Sequence, residues 1–156
     1  MSNPSGSDKK ADYKLERYKY ILQQLNALNE NAHKYLALYQ TLATAIIGGG
    51  VLVFVSWKQL KIDAEVARVG IRGLLGLLII LTAFVALSII SGLFSWFDYR
   101  REEVELLKKE IGSGFRQPPR LKNLWRWSET YLLLFLVAAI VFIYRFVEHQ
   151  VIPLIQ

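Results

Sequence analysis

The chain has 156 residues, of which 53% are hydrophobic, and its mean hydropathy is +0.27. Its 19 basic and 13 acidic residues leave two long gaps, because none lies between Lys34 and Lys58 or between Arg72 and Asp98. The gaps hold 23 and 25 residues, and an uncharged apolar run of about 18 or more is typical of a membrane span. This spacing excludes a water-soluble enzyme with one mixed core. The lack of cysteine excludes disulfides and Cys-ligated metal sites.

The amino-terminal region is predicted to be a tail followed by a helix. Residues 1–12 lack the apolar stretch of a secretory signal, and we expect them to be a disordered tail. Residues 13–34 are predicted to form a cytoplasmic helix that runs on into the membrane, because no Pro or Gly lies between Ala11 and Ile47. Apolar and aromatic residues at alternating spacings of three and four form a helix-packing seam on it. The seam consists of Tyr18, Ile21, Leu25, Leu28, Ala32 and Tyr35.

The rest of the chain is predicted to cross the membrane three times. The segments are a first span at 35–57, an external loop at 58–72, a second span at 73–97, a cytoplasmic helix and linker at 98–126, a third span at 127–147 and an external tail at 148–156. The third span has only 15 uncharged residues, from Thr130 to Tyr144, so it requires Arg145 to lie in an interface. The predicted fold is therefore all-α, an integral membrane protein with three transmembrane helices and a cytoplasmic helical stalk, assembled as a symmetric homo-oligomer.

The basic residues predict the orientation. With three spans, 14 Lys and Arg residues fall on the side of the amino terminus and 5 on the other side. The positive-inside rule then places the amino terminus in the cytoplasm and the carboxyl terminus outside a bacterial inner membrane. The candidates for binding anionic lipid or another anionic ligand are Lys9, Lys10, Lys14, Arg17, Lys19, Arg116, Arg120 and Lys122.

After the second span, a further seam includes Phe97, Val104, Leu107 and Ile111, and Gly112 is expected to end the helix. Packing this seam against the first one would build the stalk. The seams favour packing within the chain or between copies, and a docked partner is the alternative.

The sequence carries no catalytic motif and predicts neither a cofactor nor a metal site. Its two histidines, His33 and His149, are predicted on opposite sides of the membrane. Ionisable groups are missing from the span centres, where coupled transporters generally need them. We therefore expect a protein that is not an enzyme.

Small and hydroxyl-bearing residues recur at helical spacing in the first two spans. They are Thr41, Thr44, Gly48, Gly49, Gly50, Ser88, Ser91 and Ser95. One interpretation is close packing of helices, with hydroxyls bonded across an interface or back to the backbone. The other is that a stripe lines or gates a pore in a ring of about four to six copies, with the glycines allowing a bend.

The stretch YKYILQQLNALNENAHKYLALYQTLATAIIGGG joins a cytoplasmic helix directly to a span, in a chain without enzyme residues. From Tyr13 to Ile111 this architecture resembles the small multi-span effectors of bacterial anti-phage defence systems, among them the DNA-gated transmembrane effectors of the Hailong type. The resemblance implies a pore that depolarises or permeabilises the membrane when a cytoplasmic sensor or an oligonucleotide-type activator triggers it. It transfers no functional residues. The alternative is a non-conducting membrane adaptor that anchors a soluble partner through its cytoplasmic helices.

Overall fold

The computed structural model describes residues 6–112, 116–119 and 127–155 of the chain. All regular elements in these residues are helical, as the sequence predicts. The elements are α1 at Gly6–Ser56, α2 at Ala64–Glu110, α3 at Ser128–Phe146, a π-helical turn at Val147–Val151 and a 3-10 turn at Ile152–Leu154. Each of the three α-helices is long and apolar enough to cross a membrane.

Helix α1 is continuous through the three successive glycines of the first predicted span. It begins at Gly6, so that seven of the twelve residues assigned to the predicted tail at 1–12 are helical. Extending an existing helix fixes one residue for each hydrogen bond gained and avoids the cost of a new nucleus. A polar segment attached to a long helix can therefore be helical without apolar residues of its own.

Helix α2 begins at Ala64, within the segment 58–72 that was predicted as an external loop. Asp63 caps the helix, because its side-chain Oδ1 accepts the backbone N–H of Glu65 at 2.7 Å and its carbonyl accepts the N–H of Ala67 at 2.9 Å. The charged residues after this cap ended the uncharged run from which the second span was predicted, but they do not prevent a helix. The connection between α1 and α2 is thus only 57–63, with Lys61 at a positive φ of 53°.

The predicted segment 98–126 begins as the last three turns of α2. The α-helix ends at Glu110, and Gly112, which was expected to end it, follows two residues later with a φ of +119° that suits glycine. The backbone N–H groups of Ile111 and Gly112 both donate to the carbonyl of Leu107. Because the helix stops at Glu110, Ile111 is 62% exposed and does not belong to the buried seam.

Within the predicted external tail at 148–156, the π-helical and 3-10 turns continue α3 as far as Leu154. In a regular α-helix the ring of Pro153 would clash with the carbonyl of His149. The change from α to π and then to 3-10 geometry occurs over the residues where this clash would arise. The segment remains helical without continuing the α-helix.

The chain forms two compact units, Met1–His33 with Ile90–Leu124 and Lys34–Ile89 with Trp125–Gln156. In the first unit the start of α1 pairs with the end of α2. Ile21 and Leu25 of α1 are buried, as are Val104 and Leu107 of α2. The rings of Tyr20 and Tyr99 lie edge to face, with centroids 6.4 Å apart.

In the second unit, an apolar cluster joins the start of α2 to the carboxyl-terminal turns. Ala67 and Ile71 pack with Ile152 and Ile155, and Trp57 covers the cluster. Buried positions continue along α2 at spacings of three and four, a packing seam that the sequence analysis did not identify. They are Leu75, Leu78, Thr82, Val85 and Ile89.

A polar contact joins α1 and α2 within this second unit. The Thr82 hydroxyl donates to the carbonyl of Leu78 at 2.7 Å and lies 3.2 Å from the hydroxyl of Tyr39. Since a hydroxyl has one hydrogen, Tyr39 is the donor in the second bond. This contact satisfies the buried hydroxyl of α2 and ties it to α1.

The buried seam of the first unit predicts a graded response to truncation. We expect Ile21→Ala to lower the free energy of unfolding by about 2–5 kcal/mol, because it removes a fully buried side chain and leaves a cavity. The control Leu15→Ala, at a position 53% exposed, should change it by less than about 0.5 kcal/mol. Denaturant unfolding followed by circular dichroism in detergent measures both. Equal effects would show that the seam does not stabilise this unit.

Candidate functional site

The predicted spans turn most of their apolar side chains outward. In the most apolar 18 residues of α1 and of α3, 6% of residues are buried, and in α2 28% are buried. Phe84, Phe94, Phe135 and Phe142 are each more than half exposed. Monomeric water-soluble proteins rarely expose so much contiguous apolar surface. This surface requires lipid, other copies of the chain, or both.

The hydroxyl candidates fall into two groups. Thr41 donates to the carbonyl of Ala37 at 3.0 Å, and Ser88 donates to that of Phe84 at 2.9 Å. These bonds are the back-bonding that the packing interpretation predicts. Thr44, Ser91 and Ser95 make no hydrogen bond through their side chains to the described residues, and Thr44 and Ser91 are exposed.

The three central glycines lie on different faces of α1. A Cβ at Gly48 would meet nothing within 4 Å, whereas one at Gly49 or Gly50 would lie 3.9 Å from Leu74 Cδ1. None of these distances requires glycine for close approach. The triplet is therefore not a tight contact within the chain.

All six residues of the predicted α1 seam are at least partly shielded from solvent. Ile21 and Leu25 are buried, and Tyr18, Leu28, Ala32 and Tyr35 are half-buried. The structure thus uses Ile21 and Leu25 in packing within the chain.

A carboxylate that the sequence analysis missed lies at the centre of the first unit. Glu103 is fully buried, and its two oxygens bind two guanidinium groups. Arg100 Nη1 donates to Oε2 at 2.5 Å, and Arg116 Nη1 donates to Oε1 at 2.7 Å. Arg100 also lies over the ring of Trp96, 5.0 Å from its centroid. This site binds Arg116, which follows the end of α2, back to the helix.

Several of the predicted anion-binding residues are already paired with carboxylates of the same chain. Lys14 binds Glu110 at 2.7 Å, and Arg17 binds Glu102 at 2.6 Å. The hydrogen bond to Glu102 raises the pKa of Arg17. Both pairs are partly exposed, so they contribute little to stability and are easily displaced by another anion.

The other basic candidates differ in accessibility. Lys19 lies 3.8 Å from Glu16, both well exposed. Lys9 and Lys10 are exposed and form no ion pair with the described residues. Arg120 and Lys122 lie outside the described residues.

A second ion pair, also missed by the sequence analysis, joins α2 to the π-helical turn in the second unit. Arg72 Nε and Nη2 each donate to a different oxygen of Glu148 at 3.0 Å. The bidentate geometry fixes the orientation of both side chains. Because the partners are 76 residues apart in sequence, no local pattern could indicate the pair.

The Glu103 site had a local signal. Trp96, Arg100, Glu103 and Leu107 are separated by four, three and four residues, so they form one stripe of α2. A basic and an acidic residue three apart on a seam indicate a buried ion pair. No spacing in the sequence indicates that Arg116 supplies the second guanidinium.

Comparison with protein-family models, with curated proteins and with solved structures finds no match to the chain. The geometry of its own residues therefore carries the functional argument.

The burial of Glu103 generates a prediction for this site. We expect Glu103→Gln to lower the free energy of unfolding by about 3 kcal/mol, because it leaves two guanidinium groups without their buried counter-charge. The matched control is Glu105→Gln on the exposed face of α2, with an expected change below about 0.5 kcal/mol. Denaturant unfolding and limited proteolysis in detergent measure both variants. Indistinguishable unfolding curves would contradict a structural role for the site.

Proposed function

We propose that the chain is an oligomeric pore-type membrane effector that a cytoplasmic signal opens to depolarise or permeabilise a bacterial inner membrane. The observation that carries the proposal is the outward apolar surface of three helices on which Thr44 and Ser91 present hydroxyls without a partner among the described residues. A hydroxyl in hydrocarbon favours a hydrogen-bonding partner. Water in a lumen or a neighbouring copy supplies one.

The pore requires several copies of the chain. Three helices are too few to enclose a water-filled path, whereas a ring of about four to six copies encloses one by rotational symmetry. In such a ring, outward apolar side chains face lipid or the next copy, and the hydroxyls wet the lumen. Rings of apolar side chains then close the pore by excluding water.

The first unit is the proposed site of activation, on the cytoplasmic side that the positive-inside rule predicts. Lys9 and Lys10 are free of ion pairs with the described residues, and the partners of Lys14, Arg17 and Lys19 are exposed carboxylates. A polyanion such as an oligonucleotide can bind these cations, because the exposed ion pairs that it must break are weak. It opens the pore only if it binds the open state more tightly than the closed one.

The role in anti-phage defence rests on the architectural resemblance to small multi-span effectors. In that role the activator is a cytoplasmic sensor or the oligonucleotide that a partner enzyme supplies. Opening ends the life of the infected cell by loss of its membrane potential. Anionic lipid is the competing ligand for the same basic residues.

A non-conducting membrane adaptor is the second candidate. The back-bonds of Thr41 and Ser88 favour it, because they satisfy two of the hydroxyls that would otherwise line a lumen. In that case the helix pair of the first unit holds a soluble partner at the membrane, and no ion path exists.

Planar-bilayer recording of the purified full chain separates the two candidates. We expect discrete current steps when single-stranded DNA is added to the side of the amino terminus. Thr44→Val and Ser91→Ala should reduce the current several-fold because they remove hydroxyls that wet the lumen. Ser128→Ala, an exposed serine at the start of α3, is the control. A bilayer that stays silent with every DNA tested would favour the adaptor.

Charge neutralisation tests the proposed activation site. Replacing Lys9, Lys10, Lys14, Arg17 and Lys19 by Gln should weaken DNA binding and flatten its dependence on salt concentration, because fewer counterions are released. Replacing Lys58 and Lys61 in the connection between α1 and α2 is the control for net charge. Fluorescence anisotropy with labelled DNA at several salt concentrations measures both. Unchanged binding by the first variant would remove the amino-terminal cations from the proposal.

A further inference from the structure

The second unit contains an apolar groove of about 340 Å³ between α1, α2 and the carboxyl-terminal turns. Fifteen residues line it, and Gln150 is the one polar residue among them. Ile46 and Leu78 line its start, and Phe54 and Ile71 line its end, beside the apolar cluster. From Ile46 to Phe54 the groove follows nine residues of α1, a rise of about 12 Å between the first and the last.

The lining of the groove, together with the polar groups beside it, favours one kind of occupant. Water is disfavoured, because an ordered water needs two to four polar partners and the lining offers Gln150 alone. A helix of a second copy is the competing occupant, and it would exclude lipid from the groove. A single hydrocarbon chain is narrow enough, and in a membrane it is the abundant apolar molecule.

Polar groups lie at the π-helical turn beside the groove. This turn carries both Gln150 and Glu148, and Glu148 binds Arg72 through two hydrogen bonds of 3.0 Å. Arg72 follows the lining residue Ile71 and is 53% exposed, and its Nη1 donates no bond to Glu148. An amide and a guanidinium with free donors thus adjoin an apolar slot, which matches the arrangement of a phosphate headgroup and its acyl tail.

We propose that this groove is a phospholipid site that holds one acyl chain between the three helices, with the lipid phosphate beside Arg72 and Gln150. The inference rests on the membrane insertion contained in the proposed function, and it does not require conduction. The bound chain fills a gap that would otherwise leave the three helices loosely packed. Lipid composition would then alter how tightly α3 is held.

A matched pair of variants tests the site. Val51 and Leu52 are adjacent on α1, and both are more than half exposed, but only Val51 lines the groove. We expect the wild-type chain and Leu52→Trp, purified in mild detergent, to retain about one phospholipid per chain in native mass spectrometry. Val51→Trp should retain at least several-fold less. Equal retention by the two variants would overturn the proposal.

Photocrosslinking of the unaltered chain gives a test that does not depend on the folding of a variant. The probe is a phosphatidylglycerol whose acyl chain carries a diazirine, reconstituted with the full chain in vesicles of phosphatidylcholine. We expect crosslinks to concentrate on 46–54 and 143–154. Crosslinks of equal density on Phe135 and Phe142, which are exposed on α3 and do not line the groove, would indicate general lipid contact only and overturn the proposal.

Arg72→Gln separates the headgroup from the tail. We expect it to weaken retention of phospholipid several-fold in the mass spectrum while leaving the acyl crosslinks in the groove. Unchanged retention would contradict the assignment of the phosphate to Arg72. A silent bilayer together with lipid in the groove would reject the pore and keep the lipid site, whereas a chain extracted from membranes by alkaline carbonate would reject both.

Discussion

Outward exposure of apolar side chains is the constraint on which the rest of this structure depends. Helices α1, α2 and α3 satisfy their backbone hydrogen bonds internally, as hydrocarbon requires, but they bury few of the side chains in their most apolar segments. Burial within one chain therefore supplies less of the stabilisation than in a soluble domain of similar size. The surroundings of the helices must supply the remainder, and this is why lipid and further copies enter both proposals.

Carboxylates of the described residues bind guanidinium groups from other segments of the chain as well as from their own helix. Glu103 binds Arg100 and Arg116 in the first unit, and Glu148 binds Arg72 in the second. A buried carboxylate with two guanidinium partners tolerates few alternative arrangements, because loss of either partner leaves charge in a poorly solvated place. The Arg72 pair joins α2 to the π-helical turn, whereas the Glu103 site holds Arg116 against the helix that carries Glu103.

The sequence predicted the parts of the fold that depend on long runs of residue type. The two uncharged gaps located the apolar parts of α1 and α2, and the spacing of Ile21 and Leu25 identified the packed face of α1. A helix end depends on a single capping side chain, so the long runs without charged residues could not indicate the cap at Asp63. Contacts between distant residues could not be predicted from the sequence. The pairing of Arg72 with Glu148, for example, depends on how α3 returns to α2. The groove is also of this kind, because its lining comes from three separate segments.

The hydrogen bond between Tyr39 and Thr82 has a consequence for the alignment of α1 and α2 in the second unit. Apolar side chains on two long helices can slide past one another by a turn with little change in packing energy. The Thr82 hydroxyl donates its hydrogen to the carbonyl of Leu78, so it is the acceptor in its bond with Tyr39. A slip of the helices would separate the Tyr39 hydroxyl from the Thr82 hydroxyl that accepts its hydrogen bond. This single hydrogen bond thus fixes the register of α1 against α2, and it selects one alignment among several that the apolar residues alone would tolerate.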